Sequence, residues 1–121
     1  MIISKKYKYI FIKTKKAGTT SLEKYLLELD PTALNTMTRS VMSSAPLGPH
    51  TNVRALSKHT NIHDYTIFSI IRNPWDKAVS KYYFDLYKGT KEVKPIPFST
   101  WCTFPMGLPP DYTYFTITGN P

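Results

Sequence analysis

The sequence predicts an α/β fold, a parallel sheet flanked by helices, because two strand–loop–helix units follow one another in a chain of 121 residues. The first unit opens with Tyr7-Lys8-Tyr9-Ile10-Phe11-Ile12-Lys13, aromatic and β-branched through its centre. The second opens with Tyr65-Thr66-Ile67-Phe68-Ser69-Ile70-Ile71, nearly continuous in β-favouring residues, as a strand buried on both faces would be. Each run leads into a short polar stretch and then into apolar residues at helical spacing.

After residues 7–13, a polar loop from Thr14 to Thr20 precedes Leu22, Tyr25, Leu26 and Leu29, which mark an amphipathic helix over residues 20–29. Thr20 or Ser21 is placed to cap it, and Asp30-Pro31 ends it. Residues 32–50, rich in Thr, Ser, Pro and Gly, read as a loop. Asn52 to Lys58 reads as a short helix. After residues 65–71, Asn73 is a good N-cap and Pro74 suits a first helical position. Trp75, Val79, Tyr82, Tyr83 and Leu86 then mark a helix to Lys88, with Gly89 as its stop, and Trp75, Tyr82 and Tyr83 read as core. Six of the ten prolines fall in residues 95–121, so residues 89–121 read as an irregular tail with a short helix at Phe98–Phe104 and a strand at Tyr112–Thr118.

The length sets a single domain, 1–121. Hydrophobic residues at 41% and charged residues at 20% exclude a disordered tail. No apolar run approaches the roughly 20 residues of a spanning helix. Charges interrupt the N-terminus and no small-residue cleavage site follows, so a cytoplasmic location is expected. Cys102, the only cysteine, excludes an internal disulfide and any cysteine-based metal cluster, and reads as a small buried hydrophobe. Sixteen basic against eight acidic residues give a net charge of +8, which favours an anionic partner. The excess is concentrated early: Lys5, Lys6, Lys8, Lys13, Lys15 and Lys16 all precede the first acid, Glu23.

Two short motifs carry chemistry. In Lys15-Lys16-Ala17-Gly18-Thr19-Thr20-Ser21 a loop between strand and helix presents backbone N–H groups at a helix N-terminus, where a phosphate or sulfate is favoured. Gly18 permits close backbone approach, the three hydroxyls are donors, and Lys15 and Lys16 add charge. The nucleotide-hydrolase pattern Gly-x-x-x-x-Gly-Lys-Ser/Thr is absent. An ordinary turn before a capped helix would read the same way. The second motif is Arg72, at the carboxyl end of a strand where ligands bind in open α/β sheets, with Ser80 about two turns into the next helix. The alternative is an Arg72–Asp76 pair and a surface serine.

Taken together, the two motifs resemble those of the sulfotransferases that use 3′-phosphoadenosine 5′-phosphosulfate (PAPS). Phe11 to Leu22 resembles the family's 5′-phosphosulfate loop, commonly Pro-Lys-Thr-Gly-Thr-Thr-Ser-Leu. Phe68 to Tyr83 resembles its 3′-phosphate motif, with Arg72 and Ser80 at the family's spacing. The likeness is to the Golgi-type carbohydrate sulfotransferases and their bacterial and viral relatives. Lys15 and Ala17 depart from the usual Pro and Thr, which removes one loop hydroxyl. The family is longer, so the domain is expected to lack C-terminal elements and to leave an apolar patch exposed.

The resemblance implies a P-loop-like sheet, PAPS as sulfate donor, no metal, and a hydroxyl or amine acceptor, a carbohydrate before others. Nucleic acid is not an expected partner. It assigns Lys16 to the bridging oxygen between sulfate and 5′-phosphate, residues 17–20 with the Thr19 and Thr20 hydroxyls to the 5′-phosphate, and Arg72 and Ser80 to the 3′-phosphate. A general base is needed, and imidazole suits that role near neutral pH. His50 is favoured because a catalytic histidine occupies a comparable place in the 2-O-sulfotransferase branch; Glu23 is the alternative. The competing functions are a non-catalytic nucleotide- or polyanion-binding fragment and a P-loop-like nucleotide kinase relative.

Overall fold

Strand β2, Tyr9–Phe11, is the centre of a four-stranded sheet in the computed structural model, which describes residues 1–36, 48, 50–58, 61–88 and 96–103. On one side β2 pairs antiparallel with β1, Ile2–Ser4, in the register Ile3↔Ile10. β1 in turn pairs antiparallel with β3, Leu34–Asn35. On the other side β2 pairs parallel with β4, Thr66–Phe68, in the register Ile10↔Ile67. The order is β3-β1-β2-β4.

The two expected strands are therefore parallel neighbours, but the sheet is mixed rather than parallel. Only residues 5–8 separate β1 from β2, and a connection that short closes an antiparallel pair but no parallel one. β3 lies inside the stretch expected to be loop. Its pairing comes from β1, which residues 34–35 alone do not reveal.

Side chains alternate across the sheet and build a core on each face. Ile3, Ile10 and Ile12 pack with Val53, Leu56 and Ile62, from helix α2, Val53–Ser57, and a following 3-10 turn, Ile62–Asp64. Ile2, Tyr9 and Phe11 pack with Leu26 of helix α1, Thr19–Leu29. Asn52 caps α2, its Oδ1 accepting from the N–H of Ala55 at 2.9 Å.

Three expectations for these elements are corrected. β4 is not buried on both faces: Ile67 and Phe68 are half-buried, Thr66 is exposed and Ile71 is 74% exposed. Standing last in the sheet order, β4 has a neighbour only in β2 among the described residues. α1 starts one residue earlier than expected, at an N-cap of Gly18 rather than Thr20 or Ser21. Its inward stripe is Thr19, Glu23 and Leu26, while Tyr25, at 61% exposure, and Leu29 face solvent. Polar Thr19 and Glu23 share the period of the apolar residues, so periodicity alone assigns the wrong edge of the stripe.

The end of α1 is tied to the sheet by a buried carboxylate. Asp30 Oδ2 accepts from the hydroxyl of Ser4 in β1, and its Oδ1 accepts from the Thr32 N–H at 3.1 Å and the Thr32 hydroxyl at 2.6 Å. The Ser4 hydroxyl, then the Thr32 donors, hold the carboxyl below its ordinary pKa.

The described residues up to Ile71 form one compact unit and those from Arg72 onward a second. In the second, helix α3, Pro74–Lys88, starts as expected: Asn73 Oδ1 accepts from the Trp75 N–H at 2.9 Å. Tyr82 anchors the short helix α4, Phe98–Trp101, with ring centroids 5.3 Å from Phe98 and 5.6 Å from Trp101. Its hydroxyl donates to the Ile96 carbonyl at 2.7 Å. Trp101 Nε1 donates to Asp85, which also pairs with Lys81. The inward face of α3 thus runs through Ala78 and Tyr82. Trp75, at 78% exposure, and Tyr83 are not core, and Cys102 is exposed rather than buried. The expected stop at Gly89, the end of the helix at Phe104 and the strand at Tyr112–Thr118 lie outside the described residues.

Candidate functional site

The loop after β2 leaves the sheet from a well-defined point. Beyond Phe11 and Phe68 the parallel pair continues through the Ile12 N–H, which donates to the Phe68 carbonyl at 2.9 Å. Hydroxyls then take over. Ser69 donates to the Ile12 carbonyl at 2.6 Å, and Thr14 donates to the Ile70 carbonyl at 2.7 Å. Each strand end thereby satisfies acceptors of the other, and the sheet is held together up to the first residue of the loop.

The loop then makes two left-handed turns of backbone. Lys16 has φ 59° and Gly18 φ 75°. For lysine this region costs about 1–2 kcal/mol, whereas glycine enters it readily. A Cβ on Gly18 would meet no heavy atom within 4 Å, so the left-handed conformation, not lack of room, favours glycine there. Left-handed residues interspersed in a turn gather successive N–H groups into a concavity that suits an anion. α1 begins directly at Gly18, and its 11 residues add the dipole of a full helix with no acid in the first turn.

The seven loop positions divide by exposure. Lys15 and Lys16 are half-buried, and Ala17 is buried. Gly18, Thr20 and Ser21 are exposed. Thr19 is buried, and its hydroxyl donates back to the Thr14 carbonyl at 3.4 Å, closing the base of the loop.

His50 comes to this loop from 37 residues along the chain: its Nδ1 lies 2.8 Å from the main-chain oxygen of Lys13. Glu23, the alternative base, is engaged elsewhere. It forms a buried ion pair with Lys13, the two side chains being 8% and 6% exposed. This pair was not anticipated. Its signal was present in the alternation of β2, which places Lys13 on the same face as Phe11, the face α1 covers, and in the helical spacing that places Glu23 beside Leu26. Arg72 and Ser80 belong to the second unit. Arg72 is exposed immediately ahead of the Asn73 cap, and Ser80 is half-buried within α3.

Among the described residues no three His, Cys, Asp or Glu side chains are grouped to hold a metal, and no helix is long and apolar enough to cross a membrane.

A family model described as the sulfotransferase family matches residues 1–102, which takes in both motifs and His50. The chain belongs to the sulfotransferase family. Sulfuryl transfer from a nucleotide donor, in general PAPS, to an acceptor is the family's chemistry. No curated protein and no solved structure matches the chain.

Proposed function

We propose that this chain moves the sulfuryl group of PAPS to a hydroxyl or amine of an acceptor, a carbohydrate before others. The observation that carries the reading is the loop of Lys16 to Ser21, whose two left-handed residues open directly into the N-terminus of α1. That backbone suits an oxyanion with a small footprint, and no heavy atom lies within 4 Å of where a Gly18 Cβ would stand.

PAPS supplies a sulfuryl group joined to a phosphate that can depart. The N–H groups of residues 17–20 would hold the 5′-phosphate, with the Thr20 hydroxyl exposed beside them. The Lys16 ammonium is the group for the bridging oxygen, where negative charge grows as the bond to sulfur breaks. Arg72 and Ser80 would hold the 3′-phosphate, for which a guanidinium is suited by its paired donors. His50 takes the proton of the acceptor hydroxyl. The basic N-terminal half favours an anionic acceptor, drawn in by charge.

Calorimetry with adenosine 3′,5′-bisphosphate, ATP and a DNA oligonucleotide tests the reading. The bisphosphate should bind at least about tenfold more tightly than ATP, a difference of ~1.4 kcal/mol. Preference for ATP would point to a kinase-like relative, preference for DNA to a polyanion-binding module, and either would overturn the assignment.

A further inference from the structure

We propose that the main-chain carbonyl of Lys13 is a positioning group for the reaction: it selects the tautomer of His50 and so decides which ring nitrogen takes the acceptor's proton. The inference rests on the reading of His50 as the base.

The chemistry follows from the 2.8 Å contact between His50 Nδ1 and the Lys13 oxygen. A carbonyl oxygen accepts and cannot donate, so Nδ1 must carry the hydrogen in this contact. In the neutral ring the lone pair is then on Nε2. A base acting through Nε2 receives the acceptor's proton there and becomes an imidazolium with both nitrogens protonated. The Nδ1–H bond to Lys13 persists through that step, so the ring need not turn over.

The carbonyl itself is held from two sides. The preceding residue is locked in the parallel pair, Ile12 N–H to Phe68 and Ser69 hydroxyl to Ile12. The Lys13 side chain is fixed by its buried pair with Glu23 in α1. Lys13 also lies two residues before Lys15, at the root of the anion loop. The same strand end therefore aims the base and launches the loop. Glu23 serves this arrangement through Lys13 and does not act as the base.

Nitrogen-15 correlation spectra of the full chain, labelled at histidine, read the tautomer directly at about pH 8.5, well above the ordinary imidazole pKa of about 6.5. His50 is assigned by the signals that His50→Asn removes. The Nδ1–H form should exceed the Nε2–H form about tenfold. His50→Asn also keeps an N–H donor toward Lys13 but offers no base. It should fold as the parent does, lower kcat at least about 100-fold, and leave the donor KM within about twofold. A predominant Nε2–H form together with a lost kcat would overturn the role of Lys13 and leave His50 as the base. An unchanged kcat in His50→Asn would overturn both.

Discussion

Breaking the Lys13–Glu23 pair should be the most damaging single change to the first unit outside its apolar core. Glu23→Gln leaves the Lys13 ammonium between β2 and α1 with a neutral amide as partner. Both side chains are less than a tenth exposed, so water cannot replace the lost carboxylate. Removing one member of a buried pair costs about 3–5 kcal/mol, against about 0.2–1 kcal/mol for an exposed pair. Set beside a usual total of about 5–15 kcal/mol, that loss brings a small domain to the edge of unfolding. The double change Lys13→Met with Glu23→Leu removes both charges at similar volume beside Phe11 and Leu26. It should lie within about 1 kcal/mol of the parent or above it, because neither side-chain charge is then left without a partner, and the Met1 amino group that Glu23 also faces, lowered by burial to about 6, is largely uncharged at neutral pH. Urea denaturation followed by far-ultraviolet circular dichroism measures all three proteins. A loss below about 1 kcal/mol for Glu23→Gln would refute the argument, since it would mean that the pair is solvated like a surface pair.

The remaining predictions concern the anion loop, the second motif and the end of α1. Lys16→Ala should lower turnover by about 100-fold or more with a modest change in nucleotide affinity, while Lys15→Ala should do neither; steady-state kinetics with calorimetry separates the two. Arg72→Ala should weaken a 3′-phosphorylated nucleotide by about 2–3 kcal/mol and leave one without that phosphate unchanged, and equal losses for both would remove Arg72 from the site. The Asp30 carboxyl is held below its ordinary value of 3.8, first by the Ser4 hydroxyl and then by Thr32, so its folded-state pKa is the lower one. Its contribution is therefore fully present above pH 3.8 and disappears as the pH falls through the lower, folded value. Asp30→Asn should be less stable than the parent by a constant amount at neutral pH, with the gap closing under acid in urea titrations.

Much of the site was legible because its chemistry is local. The polar loop between a strand and a helix, the glycine in it and the run of hydroxyls all lie within residues 14–21, and an anion cradle at a helix N-terminus needs only neighbours in sequence. The cap at Asn73 was legible for the same reason, since a cap acts over three residues. The burial of particular side chains was harder to read. Tyr25, Trp75 and Tyr83 have the residue type and the spacing of core positions, yet all three are exposed. Glu23 has the residue type of a solvated position and is buried.

The sequence by itself therefore determined the succession of strand, polar loop and helix, the parallel partnership of β2 with β4, and the family to which the chain belongs. Tertiary structure decided three other matters. It placed β1 and β3 antiparallel on the far side of β2, because a connection of residues 5–8 allows no crossover. It turned α1 so that Glu23 meets Lys13, because a buried charge accepts few positions other than one beside its opposite. It brought His50 to the Lys13 carbonyl across 37 residues, a contact that depends on where α2 packs against Ile3, Ile10 and Ile12. Local signals act through bonds and turns, whereas these three contacts exist only once the two faces of the sheet are covered.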